Sequence, residues 1–266
     1  MLGKLMKYEI EATQRIFLPL YGLIIIFALI NKAFITFNLQ RMEGMAAVPF
    51  VISMVIYCVL IAALFVMTLV VTIQRFQKNL LADEGYLSFT LPVKAHCHLD
   101  SKMLVTLMWT ILSLIVAALS IFLLAITKEN VQGFSNFCMQ VGVFLNKNGP
   151  LSYVVFIEAI VLMLVGATAS ILQIYAAITV GNLSSKHKLL AGFGAYIGFG
   201  VVEQIVASVI INAGIGFRDL DAFFNRVNPF QVAAGGIGIM IAYSLIFGAA
   251  FYFFTNWMLS RKLNLE

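Results

Sequence analysis

Charged residues are scarce in this chain. Only 11% of its 266 residues are Asp, Glu, Lys or Arg, and 62% are hydrophobic. A soluble globular domain carries roughly 25% charged residues, so the composition excludes an ordinary soluble domain. The apolar residues also fall in runs long enough to cross a bilayer. The sequence therefore predicts an integral membrane protein.

Cysteines are few as well. Cys58, Cys97 and Cys138 are far apart in the chain, and an odd, scattered set does not form a disulfide framework. His96 and His98 flank Cys97, but two histidines separated by one residue do not share a helix face, and no fourth ligand is nearby. The sequence therefore predicts isolated thiols and no metal site.

Motifs of catalysis and nucleotide binding are missing. The sequence contains no H-E-x-x-H and no G-x-S-x-G, and no glycine-rich loop precedes its only Gly-Lys pair, Gly3-Lys4. It therefore has no phosphate-binding P-loop, and we expect neither a catalytic residue nor a cofactor in this chain. The net charge of +5 does not indicate a nucleic-acid partner, because membrane proteins collect Lys and Arg on cytoplasmic loops.

Six apolar runs have the length of a membrane span, which needs about 20 residues. They cover residues 16–37, 49–74, 103–127, 151–180, 189–213 and 233–258. The sequence shows no internal repeat and no interdomain linker. It predicts an all-α integral membrane fold, in which residues 1–266 form a single transmembrane domain of six helices in the lipid bilayer.

Lys and Arg are unevenly divided between the two sides of these spans. Five lie on one side, and eleven lie on the side of the two termini: Lys4, Lys7, Arg15, Arg75, Lys78, Lys94, Lys102, Lys186, Lys188, Arg261 and Lys262. The positive-inside rule makes the richer side cytoplasmic. We therefore expect both termini and the segment 75–102 in the cytoplasm, and the loop 128–150 outside.

The residues before the first span have a helical pattern. At 100° per residue, one stripe of the helix carries Leu2, Met6, Ile10, Thr13 and Phe17. Charged residues lie opposite, which predicts an amphipathic interfacial helix over residues 1–15, with Pro19 at the bend into the membrane. A long first span with a slightly amphipathic start is the alternative.

The segment 75–102 is a polar island between the second and third spans. Asp83-Glu84-Gly85 would end a helix that extends the second span, because Gly85 can adopt a left-handed conformation. Pro92 suits the first turn of a new short helix that runs from Val93 to Asp100. The pattern predicts a structured segment that offers a surface to a partner.

Two stretches of the sequence resemble a known family. Asp83-Glu84-Gly85-Tyr86-Leu87 and then Phe89-Thr90-Leu91-Pro92-Val93 are similar to the loop after span two of small bacterial permeases, which belong to the ATP-binding-cassette type-2 exporters. Leu5-Met6-Lys7-Tyr8-Glu9 and Arg15-Ile16-Phe17-Leu18-Pro19-Leu20-Tyr21 resemble their connecting helix and first span. The resemblance is most specific over residues 83–93, and beyond residue 103 only the hydropathy matches.

The resemblance implies a permease subunit in the bacterial plasma membrane. A second permease copy or a paralogue would pair with it, and separate cytoplasmic ATP-binding-cassette ATPase subunits would bind ATP and Mg²⁺. A coupling helix between spans two and three would meet the ATPase, with these residues at or under the contact: Asp83, Glu84, Gly85, Tyr86, Leu87, Phe89, Leu91 and Pro92. Packing against the chain's own cytoplasmic helices is the alternative role of these residues.

Three charged residues lie within the predicted spans. Lys32, Glu158 and Glu203 all fall in the outer half of the bilayer, where an ionisable residue is costly and indicates function. Lys32 could pair with either carboxylate, and a structural ion pair or snorkelling to the headgroups is the alternative. Gly194 and Gly198 give the fifth span a small-residue face that another helix could approach closely.

The sequence leaves three functions open. The first is an exporter permease whose cargo is amphipathic or hydrophobic, such as a peptide, a drug or a lipid, because Phe, Met and Leu would wall its pathway. The second is a membrane sensor or assembly module whose 75–102 segment binds a soluble protein. The third is an ion-gradient-driven transporter that uses Glu158 and Glu203 as proton sites.

Overall fold

A computed structural model describes residues 2–37, 47–78, 95–126, 128–147, 149–184, 187–215 and 229–261. The regular structure in this part of the chain consists of helices and contains no strand. There are seven helices: α1 (Leu2–Thr36), α2 (Val48–Phe76), α3 (Ala95–Ala125), α4 (Lys128–Lys147), α5 (Pro150–Gly181), α6 (Lys188–Ile215) and α7 (Pro229–Arg261).

Six of these helices, all except α4, are long and apolar enough to cross a membrane. Each predicted span lies within one of the six, apart from at most two residues at an end. The predicted all-α membrane fold with six spans is therefore confirmed at the level of helix number and composition. The cytoplasmic position of the termini stays a prediction.

The chain divides into two compact units. The first contains residues 1–75 and 100–138, and the second contains residues 76–99 and 139–266. The first unit is therefore built from α1, α2 and α3, and the second from α5, α6 and α7. The residue boundary between the units passes through α4.

Helix α1 is one continuous element from Leu2 to Thr36, with Pro19 inside it. Its buried face consists of Thr13, Phe17, Tyr21, Ile24, Ala28 and Asn31. This spacing of three and four residues keeps one side of the helix on the core, and Met6 and Ile10 pack against the same core. The stripe seen in the sequence is thus a protein-packing face, and no break separates residues 1–15 from the span. Whether the first turns also lie along the membrane surface stays a prediction.

Hydrogen bonds between side chains join the helices of the first unit. The hydroxyl groups of Tyr21 and Ser113 are 2.9 Å apart, and so are those of Tyr57 and Ser120. Because lipid offers no competing partners, such bonds between spans contribute about 0.6–2 kcal/mol each to helix association. They fix α1 and α2 against α3.

Asn31 adds a further link between α1 and α2. Its side chain is completely buried, and its Nδ2 donates to the carbonyl oxygens of Phe27, at 2.8 Å, and Ser53, at 3.2 Å. Only the bond to Ser53 crosses from α1 to α2, and sliding either helix would leave this buried N–H without an acceptor. The bond therefore holds the two helices in one register.

In the second unit, α5 packs against both α6 and α7. Phe199 of α6 lies 5.2 Å from Phe251 of α7 between ring centroids. The Tyr243 hydroxyl of α7 donates to the carbonyl oxygen of Glu203 on α6, at 2.7 Å. Aromatic contacts and one hydrogen bond therefore join α6 to α7.

The closest backbone approach in the second unit lies at the turn between α5 and α6. A Cβ atom at Gly181 would lie 2.6 Å from the carbonyl oxygen of Lys188 and 2.7 Å from the Cα of Gly192. Both neighbours are backbone atoms, which cannot rotate away as a flexible side chain can. Only glycine therefore fits at position 181.

We expect Gly181→Ala to lower the free energy of unfolding by about 1–3 kcal/mol, because the new methyl group overpacks the turn. Gly166→Ala is the matched control on the same helix, since no described atom lies within 4 Å of a Cβ at that position. Thermal unfolding of the two variants in detergent compares them. Equal melting temperatures would show that the close approach is absent in the protein.

The segment predicted as a coupling loop, 75–102, is helical at both ends. Helix α2 continues to Phe76, and α3 already begins at Ala95. From Ala95 onward, the short helix predicted over Val93–Asp100 is therefore continuous with the third span. The stretch predicted as an outer loop, 128–150, is also largely helical, because α4 occupies Lys128–Lys147.

Candidate functional site

A cluster of polar side chains joins α1, α2 and α3 near the ends of the helices that flank the polar island. We call Glu9, Thr13, Arg75, Lys102 and Trp109 the polar cluster. Glu9 and Lys102 form an ion pair, and their side chains are only 14% and 5% exposed. The pair joins the third turn of α1 to the third turn of α3. Lys102, which is counted among the predicted cytoplasmic charges, has a buried side chain.

Arg75 connects α2 to the same part of α1. Its Nη2 donates to the carbonyl oxygen of Ala12, at 2.8 Å. Because Arg75 lies in the last turn of α2, this charge-assisted bond fixes the end of that helix rather than its middle. The helix therefore reaches the polar island with its last turn held in place.

Thr13 and Trp109 add a second link between α1 and α3. Thr13 Oγ1 donates to the carbonyl oxygen of Glu9 one turn earlier, at 2.7 Å, and accepts from Trp109 Nε1, at 2.8 Å. The indole ring stacks on Phe17, with the ring centroids 4.6 Å apart and the planes at 13°. The tryptophan N–H is thus satisfied inside an apolar layer.

A cavity of about 20 Å³ lies among these side chains, with Thr68, Thr72 and Thr106 also in its lining. This volume holds about one water molecule. It is far too small for a peptide, drug or lipid. The arrangement can transmit force between three helices, but it cannot bind a cargo of that size.

The residues predicted to contact an ATPase lie in the chain between Arg75 and Lys102, outside the described residues. They are Asp83, Glu84, Gly85, Tyr86, Leu87, Phe89, Leu91 and Pro92. Their role stays a prediction. The structure shows what the chain does on either side of them: Arg75 and Lys102 both bond to α1.

The second unit holds the residue next to Arg75. The ring of Phe76 stacks on Tyr175 of α5 at 4.1 Å between centroids, with the planes 9° apart. Both side chains are almost completely buried. The polar island thus begins with two consecutive residues that have defined contacts. Arg75 donates to α1, and Phe76 stacks on α5.

The intramembrane charges lie on different helices. Glu158 is half-buried on α5, and its Oε2 is buried and makes no hydrogen bond to any residue that the structure describes. Glu203 is half-buried on α6, where its backbone carbonyl accepts from Tyr243. Lys32 belongs to the first unit and both carboxylates to the second, so their pairing stays a prediction.

Gly194 and Gly198 are exposed on α6, and a Cβ at either position would meet no described atom within 4 Å. No described residue packs against this glycine pair, and its role against another chain stays a prediction. Other glycines of the second unit have close neighbours, namely Gly192, Gly248 and Gly181. Gly181 was not among the glycines predicted to have a role. Its position directly before the turn to α6 was the available signal.

Sequence reasoning also missed the pairing of Glu9 with Lys102 and the roles of Thr13 and Trp109. A signal existed for part of it: Glu9 and Thr13 are four residues apart on α1, and Lys102 and Trp109 are seven apart on α3. Each pair therefore shares a helix face. The polar residues of the two helices were thus already aligned for a contact.

Comparisons with known proteins give no match: no family model, no curated protein and no solved structure resembles the chain significantly.

Proposed function

We propose that the chain is the permease subunit of an ATP-driven exporter in the bacterial plasma membrane, with both termini in the cytoplasm. It would pair with a second permease, either another copy or a paralogue. Cytoplasmic ATP-binding-cassette ATPase subunits would supply ATP and Mg²⁺, because the sequence has no P-loop. The architecture of six spans supports a transport role, and the resemblance over residues 83–93 supports this family.

The observation that carries this proposal is the polar cluster. A coupling segment works only if the helices at its ends move with it. Arg75 and Lys102 hold the end of α2 and the start of α3 to α1 through charge-assisted contacts in a largely buried setting. A push on the segment between them therefore moves three helices together instead of loosening helix ends.

In the proposed mechanism, the ATPase contact lies on the segment between α2 and α3. Asp83 and Glu84 meet Arg or Lys on the ATPase, while Tyr86 and Phe89 fill an apolar groove, since aromatic side chains anchor such interfaces. Closure of the ATPases on ATP displaces this segment. The polar cluster passes the displacement to α1, and the stack of Phe76 on Tyr175 passes it to α5.

The cargo in this proposal is amphipathic or hydrophobic. The cavity at the polar cluster is too small to hold it, and in this proposal the pathway lies on surfaces that two permeases enclose together. Large apolar side chains are exposed along the spans, among them Phe193, Ile205 and Val209 on α6. Such walls favour peptides, drugs or lipids over small ions.

Affinity purification tests the proposal. The tagged chain, extracted from its own host in mild detergent, is expected to bring down a cytoplasmic ATPase that carries a P-loop. In reconstituted vesicles, this complex should move a hydrophobic peptide or dye only when ATP is supplied. Recovery of a different soluble protein, with no ATPase, would instead support a sensor or assembly module and would refute the exporter.

A gradient-driven transporter is the second candidate, and one observation favours it. Glu158 Oε2 is buried without a hydrogen bond from the described residues, and a carboxyl group in that position can bind a proton inside the membrane. In this mechanism, Glu158→Gln and Glu203→Gln each abolish transport that is driven by a pH gradient. Full ATP-dependent transport by both variants would remove the support for proton sites.

A further inference from the structure

Helix α4 differs from the other helices in the distribution of its side chains. At 100° per residue, its apolar arc carries Val131, Phe134, Phe137, Cys138, Val141 and Leu145. The opposite side carries five uncharged polar residues, Gln132, Ser135, Asn136, Gln140 and Asn146, together with the apolar Met139 and Val143. Its 20 residues include only three charges, Lys128, Glu129 and Lys147. The helix is amphipathic, but it is not among the candidate membrane spans.

Most of the apolar arc is left exposed by the rest of the described chain, although Val141 and Leu145 are half-buried. Phe134 is 51% exposed and Phe137 is 61% exposed. Phe144, at the edge of the arc, is 54% exposed, and its ring centroid lies 5.6 Å from that of Phe230 in α7. Three exposed phenylalanines on one helix indicate a surface that contacts an apolar partner.

The chain connections limit where α4 can lie. Only two residues separate its first residue from α3, and only two separate its last residue from α5. Such a connection reaches about 10 Å at most, whereas a helix of this length measures about 30 Å. Neither end of α4 can therefore move far from the end of a span. The helix must run along the membrane face at which α3 ends and α5 begins.

Contacts at both ends fix the rotation of the helix about its axis. In the first unit, Phe134 packs on Phe122 of α3 in a T-shaped arrangement, with ring centroids 5.1 Å apart. In the second unit, the Ser152 hydroxyl of α5 is buried 2.8 Å from the carbonyl oxygen of Leu145, and the Tyr153 hydroxyl donates to Asn146 Oδ1 at 2.6 Å.

The corner between α4 and α5 is also fixed by its backbone. Gly149 has a φ of 78°, a left-handed conformation that favours glycine. The amide of Ser152 then bonds the carbonyl oxygen of Gly149 at 3.3 Å. The chain thus enters α5 through a defined turn, and α4 does not swing freely about it.

We infer that α4 is an interfacial helix whose partner is the lipid of that membrane face. Its apolar arc lies about 5–10 Å deep, at the boundary of headgroups and acyl chains, while Gln132 and Asn136 face water. Because the helix has few charges, apolar burial holds it there rather than attraction to anionic lipid. This inference requires the membrane architecture but not the proposed transport function.

Spin labelling at single cysteines tests the inference in the full-length protein. Cys58→Ser and Cys97→Ser leave Cys138, which is exposed on the apolar arc, as the only labelling site. The matched variant adds Cys138→Ser and Gln132→Cys, which moves the label to the polar side. Both are reconstituted in phosphatidylcholine nanodiscs, and collision rates with oxygen and with a water-soluble nickel chelate give the depth of each label.

We expect the label at position 138 about 5–10 Å inside the membrane, where oxygen reaches it and the nickel chelate does not. The label at position 132 should collide mainly with the chelate. Neither value should change when anionic lipid or high salt is added. Equal chelate access at the two positions, or a label at position 138 that is shielded from both reagents by protein, would overturn the inference.

Discussion

Replacing Asp83 and Glu84 together with lysine is expected to release the ATPase from this chain. Each change removes a carboxylate that is proposed to face Arg or Lys of the partner and puts a like charge in its place. Truncating one member of a buried charge pair at an interface already costs about 2–5 kcal/mol. The amount of ATPase recovered with the tagged chain should therefore fall at least about 30-fold, and ATP-dependent transport should be lost with it.

Glu11→Lys is the control for this result. It makes half of that charge change, one carboxylate to one lysine, on α1, where Glu11 is half exposed and lies 3.8 Å from Lys7. An exposed pair of this kind contributes about 1 kcal/mol or less, so the control should keep its ATPase. If the double lysine variant retains as much ATPase as the control does, residues 83 and 84 are not part of the contact.

Lys102→Met is expected to be the most destabilising single substitution in the first unit. It leaves Glu9 as a charge that is largely buried and has lost its ion-pair partner. Removing one partner of a buried pair costs about 3–5 kcal/mol, since the remaining charge stays out of water. Unfolding in mixed micelles, followed by the fluorescence of Trp109 beside the pair, measures this loss.

The same helix supplies the control for this prediction. Lys7 and Glu11 form a second pair on α1, but their side chains are 72% and 52% exposed, so Lys7→Met should cost about 1 kcal/mol or less. The double variant Glu9→Gln with Lys102→Met should regain much of the lost stability, because it leaves no charge buried. Equal losses for Lys7→Met and Lys102→Met would contradict the burial of the pair.

The spans were predictable because the lipid core requires predominantly apolar side chains along a helix that crosses it. Val48–Phe76 is strongly apolar until Gln74 and Arg75 in its last turn, so hydropathy alone finds it. The helix Lys128–Lys147 was harder to find. An interfacial helix has one polar and one apolar side, so its averaged hydropathy is low and resembles that of a loop. The apolar side becomes visible only when Phe134, Phe137 and Val141 are placed at 100° per residue.

The stripe on α1 shows a different limit. Thr13 and Phe17 were correctly placed on one face, but lipid and a neighbouring span both accept apolar side chains. The pattern therefore could not say which of the two covers that face. The same holds for Gly194 and Gly198, whose spacing shows a small-residue face without showing what lies against it.

The pairing of Glu9 with Lys102 could not be predicted from local patterns. The two residues are 93 positions apart, and they meet only because α1 and α3 are neighbours. The count of Lys and Arg residues predicts a side of the membrane for Lys102 but gives no partner for it. The ATPase contact over Asp83–Pro92 rests on resemblance alone, because those residues lie outside the described part of the chain.

The buried ion pair also sets the order in which contacts can form during synthesis of the protein. During synthesis, Glu9 leaves the ribosome 93 residues before the lysine that neutralises it. A nascent chain that ends after α2 contains the carboxylate of Glu9 but not yet Lys102. It also contains Thr13 but not yet Trp109. The contacts that join α1 to α3 can form only after α3 has been made, so the third span completes the packing of the first unit.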